Sequence, residues 1–135
     1  MIFRGAEAVV ERIKWHDFTA VSKVRNKRSY RHPELERKLV VERLRSESRV
    51  IEYLLSKGVL VPSLYEVNIE KSQIIMEFID GMTLEQGLRT NKFRDYLISS
   101  AILISQIHSS GIVHGDPTTS NFMISGELYA IDFGL

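Results

Sequence analysis

The residues best suited to chemistry lie near the end of the chain. His114-Gly115-Asp116 is followed by Asn121 five residues after the aspartate, and Asp132-Phe133-Gly134 comes later. An aspartate fixed in a loop can accept the proton of an attacking hydroxyl. An asparagine a few residues on can ligate magnesium without adding negative charge beside that base. A second aspartate at the end of a hairpin can hold magnesium against a triphosphate. Together these roles describe phosphoryl transfer. A lone Asp-Phe-Gly means little; the three pieces in order, with a hairpin between the last two, point jointly to that chemistry.

The first half holds the complementary parts of a protein-kinase layout, which needs a lysine on the third strand and a glutamate on the helix that follows. Ala20-Val21-Ser22-Lys23 resembles the lysine-bearing strand motif. The next helix has an apolar stripe of Leu35, Leu39/Val40, Leu44, Ile51 and Leu54, and one register position on it is filled by Glu47. A carboxylate on a buried stripe is costly unless paired, and Lys23 would supply the partner. The alternative is that Glu47 snorkels or pairs locally with Arg43. Gly5-Ala6-Glu7-Ala8 lies just before the strand pair that delivers Lys23 and reads as a phosphate loop. It has one glycine where a full kinase loop has three. Met76-Glu77-Phe78-Ile79-Asp80-Gly81 fits a hinge between lobes, with backbone groups of Glu77 and Ile79 reading an adenine edge and Met76 packed behind it; an ordinary buried edge strand is the alternative. His108 reads as a hydrogen-bonded core residue.

Local signals place these residues on elements. Strands are expected over Val9–Trp15 and Phe18–Val24, turned by His16-Asp17. Pro33 opens a helix that runs to about Lys57 and stops at Gly58. Two strands follow, Leu64–Ile69 and Gln73–Ile79, and Asp80-Gly81 ends the first lobe. Thr83 caps a short helix over Leu84–Arg89. Phe93–Ser110 is a helix apolar nearly all round, which favours burial. A loop over Gly111–Ser120 leads to a hairpin of Phe122–Ser125 and Leu128–Ile131. The expectation is an α+β chain with a protein-kinase-like two-lobed fold: an N-lobe over residues 1–80, an antiparallel sheet plus the αC helix, and the start of a helical C-lobe over 81–135.

Composition bounds the rest. The 135 residues are 44% hydrophobic and 26% charged, with a net charge of +1 and no cysteine. That is globular composition without a disulfide framework, a thiolate metal site or a cysteine nucleophile. No apolar run approaches the roughly 20 residues of a membrane span, and the N-terminus lacks a signal-peptide pattern, so a cytoplasmic protein is expected. The small net charge hides an asymmetry. Lys23–Arg49 holds ten basic and four acidic residues, a net of +6, against eight basic and thirteen acidic elsewhere. Such a segment can attract phosphates or an acidic partner; a solvated helix face is the plain alternative.

These segments resemble a known family. Gly5-Ala6-Glu7-Ala8, Lys23-Val24-Arg25, Lys27-Arg28-Ser29-Tyr30-Arg31-His32-Pro33-Glu34-Leu35-Glu36 and His114-Gly115-Asp116-Pro117-Thr118-Thr119-Ser120-Asn121 are similar to the small atypical serine/threonine protein kinase subunit of the KEOPS/EKC complex, the Bud-type kinases. The resemblance runs from Gly5 to Leu135. It implies an ATP- and magnesium-dependent kinase and ATPase that supports threonylcarbamoyl-adenosine modification of tRNA. Its implied partners are the tRNA threonylcarbamoyl-adenosine synthase subunit and other KEOPS subunits, with a possible tRNA contact through the basic segment. It makes Lys23 the phosphate-contacting lysine, Glu47 its partner, Asp116 the catalytic aspartate, and Asn121 and Asp132 the magnesium ligands. Gly115 replaces the arginine of regulated kinases, which implies no phosphorylated activation-loop switch. Pro117 stands where the family usually has leucine and biases Asp116 towards extended backbone angles. The family continues beyond Asp-Phe-Gly, so the resemblance implies a chain cut there, with the apolar face of Phe93–Ser110 uncovered and poor solubility as a result. Two other readings stay open: a small-molecule phosphotransferase, and a non-catalytic kinase-like docking module.

Overall fold

The structure is a computed structural model that describes residues 2–4, 8–25, 32–111 and 122–131. The chain divides into two compact units, one of Met1–Arg49 with Ser63–Phe78, the other of Val50–Pro62 with Ile79–Leu135. The last of the three division points, between Phe78 and Ile79, falls within the segment Met76–Gly81.

The first unit is built on strands β1 (Ile2–Arg4), β2 (Ala8–Trp15) and β3 (Phe18–Arg25), then helix α1 (Pro33–Ser56), whose last residues belong to the second unit, then β4 (Leu64–Asn68) and β5 (Gln73–Glu77). The described strands form one antiparallel sheet in the order β1-β2-β3-β5-β4. The β2–β3 turn is the expected His16-Asp17, with His16 at a positive φ of 51°. Leu44 of α1 packs with Ile74 and Met76 of β5, and Val21, Leu64, Val67 and Ile69 close the cluster.

Helix α1 begins and ends where Pro33 and Gly58 predict. The Gly58 N–H donates to the Leu55 carbonyl and the Val59 N–H to the Leu54 carbonyl, with Gly58 at φ 75°. Those two bonds close a Schellman cap, and Val59 and Leu54, which it joins, are both buried. The buried stripe differs from the expected one at its start. Leu35 is exposed, and Glu36 takes the inward position ahead of Val40, Leu44, Glu47, Ile51 and Leu54. Steps of four, four, three, four and three residues follow the helical period, and Leu35 lies about 100° off that line.

The second unit contains β6 (Met82–Thr83), α2 (Leu84–Gly87), α3 (Phe93–Ser109), β7 (Phe122–Ser125) and β8 (Glu127–Ala130). Strands β6, β7 and β8 form a small antiparallel sheet. Thr83 caps α2 with a full capping box: its Oγ1 accepts from the Gln86 N–H, and its own N–H donates to Gln86 Oε1. The Ala130 N–H donates to the Leu60 carbonyl, tying β8 to the strand-free segment after α1. Helix α3 buries Leu103 and Ile107 but leaves Phe93, Leu97, Ile98 and Ile102 exposed, Ile98 by 61%. His108 is exposed, contrary to the core position expected, because Ile107 takes the inward place on that turn. Among the described residues no helix is long and apolar enough to cross a membrane.

Candidate active site

The site in the first unit begins with strand periodicity. Alternate residues of β3 face the same way, so Val21, Lys23 and Arg25 share one face. Their β2 partners on that face are Arg12, Val10 and Ala8, and on β5 Val21 stands opposite Met76 and Lys23 opposite Ile74. Val21, Ile74 and Met76 pack with Leu44 of α1, so this is the face α1 covers. Glu47, one helical step beyond Leu44, points into the same layer and is 3% exposed.

Two cations meet its carboxylate there. Lys23 Nζ lies 2.8 Å from Glu47 Oε1. Arg25 Nη2 lies 2.7 Å from Glu47 Oε2. These are short, charge-assisted hydrogen bonds. A buried carboxylate persists at this place because each oxygen has a cationic donor. The pairing expected between Lys23 and Glu47 is therefore present across the fold, 24 residues apart. Arg25 was not expected. Its signal was the strand period: any basic residue two positions from Lys23 reaches the same face. On that face Val10 stands opposite Lys23 and Val21 opposite Met76.

The segment read as a hinge starts inside the sheet. Met76 is buried in the core cluster. Glu77 makes two bonds to Ser63: its N–H donates to the Ser63 carbonyl at 2.8 Å, and its Oε1 accepts from the Ser63 N–H at 3.1 Å. The Glu77 N–H is thus committed within the protein. Phe78 follows with the Arg12 guanidinium 4.6 Å from its ring centre, a cation–π contact. Ile79 is buried in the second unit.

Ala8 opens β2, buried and opposite Arg25. The other predicted phosphate-loop residues, Gly5, Ala6 and Glu7, lie outside the described residues, as do Asp116, Asn121 and Asp132. Their flanks are described: β7 begins directly after Asn121, and β8 ends two residues before Asp132. Among the described residues no group of three or more His, Cys, Asp and Glu side chains could hold a metal.

Comparison with known proteins decides the family. The family described as "ABC1 atypical kinase-like domain" matches residues 34–135. The chain belongs to that atypical kinase-like family. A "Probable bifunctional tRNA threonylcarbamoyladenosine biosynthesis protein" of Methanospirillum hungatei is 41% identical over 133 residues, covering 98% of this chain and 24% of the relative. The "EKC/KEOPS complex subunit bud32" of Dictyostelium discoideum is 35% identical over 146 residues, covering all of this chain and 58% of the relative. The chain thus spans about a quarter of the first relative and somewhat over half of the second. Among solved structures, the Rio2 kinase of Chaetomium thermophilum, in a complex with ADP, Mg2+ and a phosphoaspartate, matches 99% of this chain and 46% of its own, with a TM-score of 0.78 at 18% identity. That likeness shows the kinase fold.

Proposed function

We propose that this atypical kinase-like chain carries the nucleotide site of an ATP-dependent serine/threonine kinase and ATPase of the KEOPS complex, supporting threonylcarbamoyl-adenosine modification of tRNA. The observation that carries this reading is the buried Lys23–Glu47 pair at 2.8 Å between β3 and α1. The names of the Methanospirillum and Dictyostelium relatives support the tRNA role.

The residues present suit a nucleotide. Lys23 and Arg25 bring two cationic donors to one partly buried face beside Glu47, and positive charge there favours a polyanion. Lys23 would contact the phosphates and Glu47 would hold the lysine in place. Val10 and Val21 would offer an apolar surface beside it with Met76 packed behind, and backbone groups of Glu77 and Ile79 would read the adenine edge. Gly5, Ala6, Glu7 and Ala8 would approach the phosphates through backbone groups. Asn121 and Asp132 would hold magnesium, which supplies positive charge against the phosphate oxygens. Asp116 would take the proton of the attacking hydroxyl or water as its oxygen bonds to phosphorus and the bond to the departing diphosphate breaks.

Magnesium-dependent ATP turnover by the intact protein, with and without the threonylcarbamoyl-adenosine synthase partner, tests this reading. Partner-stimulated turnover lost in Asp116→Asn and in Asp132→Ala supports it. Turnover unchanged in both rejects it, and partner binding without turnover in the wild type would favour a docking module.

The positive excess also finds its place. Helix α1 carries five basic and five acidic residues, whereas residues 23–31 carry five basic and none acidic. We place any tRNA contact on Lys27, Arg28 and Arg31, outside the described residues. Reversing these three charges should weaken tRNA binding and flatten its dependence on salt; unchanged affinity and salt slope would remove that contact.

A further inference from the structure

We propose that Arg25 is a positioning residue of the nucleotide site, holding Glu47 in place so that Lys23 is available to phosphate. The inference rests on reading Lys23 as the phosphate-contacting lysine.

One lysine suffices to pair a buried carboxylate. Here the carboxylate has two cations, and they divide its oxygens. Lys23 takes Oε1 and Arg25 takes Oε2. The two cations differ in access: the Lys23 side chain is 12% exposed and that of Arg25 5%. Arg25 is also held through its backbone, where its N–H donates to the Ser72 carbonyl at 3.0 Å. The more accessible cation is thus the one suited to meet a ligand, and the more enclosed one is suited to stay.

The consequence is electrostatic. A phosphate competes with Glu47 for the donors of Lys23. If Lys23 were the sole partner, every shift towards phosphate would strip a buried carboxylate of its countercharge, which is strongly unfavourable. With Arg25 on Oε2, Glu47 keeps a permanently protonated partner while Lys23 turns to the ligand. Arg25 touches no reacting atom; it acts through Glu47, and among ligands its effect should appear in the affinity for phosphate-bearing ones alone.

Calorimetric titration of the intact protein with Mg-ADP and, separately, with adenosine distinguishes this role from plain structural support. In Arg25→Gln, Mg-ADP affinity should fall about tenfold or more, the scale of one charge-assisted hydrogen bond, while adenosine affinity stays at the wild-type level. Arg25→Lys keeps the charge, and its ratio of Mg-ADP to adenosine affinity should stay within about threefold of wild type. Equal losses for both ligands in Arg25→Gln, no loss for either, or a larger fall of the ratio in Arg25→Lys would overturn the proposal. The Arg25→Lys criterion applies even if Arg25→Gln does not fold. Lys23→Met gives the separate control. If it binds Mg-ADP as wild type does, the phosphate role of Lys23 fails and this inference with it. If it loses Mg-ADP while Arg25→Gln does not, only the role of Arg25 fails.

Discussion

Glu47 occupies a place where its helix otherwise presents Val40, Leu44, Ile51 and Leu54 to the interior. Its pairing is what makes that place tolerable, so the pairing should be visible in stability as well as in ligand binding. Glu47→Gln keeps the shape but removes the carboxylate charge that two largely buried cations share. It should cost about 3–5 kcal/mol, read as a lowered urea midpoint. Glu42→Gln, on the exposed side of the same helix, should change stability by less than about 0.5 kcal/mol. Equal effects of the two would show that the buried trio contributes nothing beyond an ordinary surface carboxylate. At this scale the sequence was half legible. A lone acid on an aliphatic stripe advertised Glu47, and the strand motif advertised Lys23. Arg25 and Glu36 were hidden, because an arginine at a strand end and a glutamate in a first helical turn are usually surface residues.

The elements with strong punctuation matched their expected ranges to within two residues: α1 between Pro33 and Gly58, β2 and β3 about His16-Asp17, β7 and β8 about Gly126. Strands β1 and β6 went unread because two or three residues hold too short a pattern for an alternation to show. The strand expected to reach Ile79 stops at Glu77, where the two bonds to Ser63 end its course. One glycine has a demanding role among these elements. A Cβ at Gly81 would sit 1.8 Å from the Ile124 carbonyl oxygen, so β6 must part from β7 to admit it. Gly81→Ala should therefore lose about 2 kcal/mol or more. Gly126→Ala meets open space and strains only a positive φ of 71°, for about 1 kcal/mol. Thermal unfolding of the two variants checks the order; a Gly126→Ala loss exceeding that of Gly81→Ala would contradict the close approach.

At the scale of the molecule, the α+β class and the antiparallel sheet with its following helix were readable, because alternation, helical period and turn residues agree. The division into units was less so. The second unit takes in Val50–Pro62, and no composition shift marks a boundary inside a continuous helix. The apolar surface of α3 also bears on the whole chain. Leu97, Ile98 and Ile102 are about half exposed or more, a patch that favours self-association. Replacing Leu97 and Ile102 by Gln and Ile98 by Lys should reduce light scattering of the 135-residue chain and shift its stability by no more than about 0.5 kcal/mol per site. Scattering unchanged by all three would locate the association elsewhere.

The Lys23–Glu47 pair at 2.8 Å is proposed to serve ATP. The most direct measurement compares magnesium-dependent ATP turnover of the intact wild-type protein with that of Lys23→Met. Turnover should require magnesium and fall about a hundredfold or more when the lysine is lost, the scale of removing one charge-stabilising group from a reaction centre. Turnover that survives Lys23→Met within a few-fold would contradict that proposal and return the buried pair to a purely structural role.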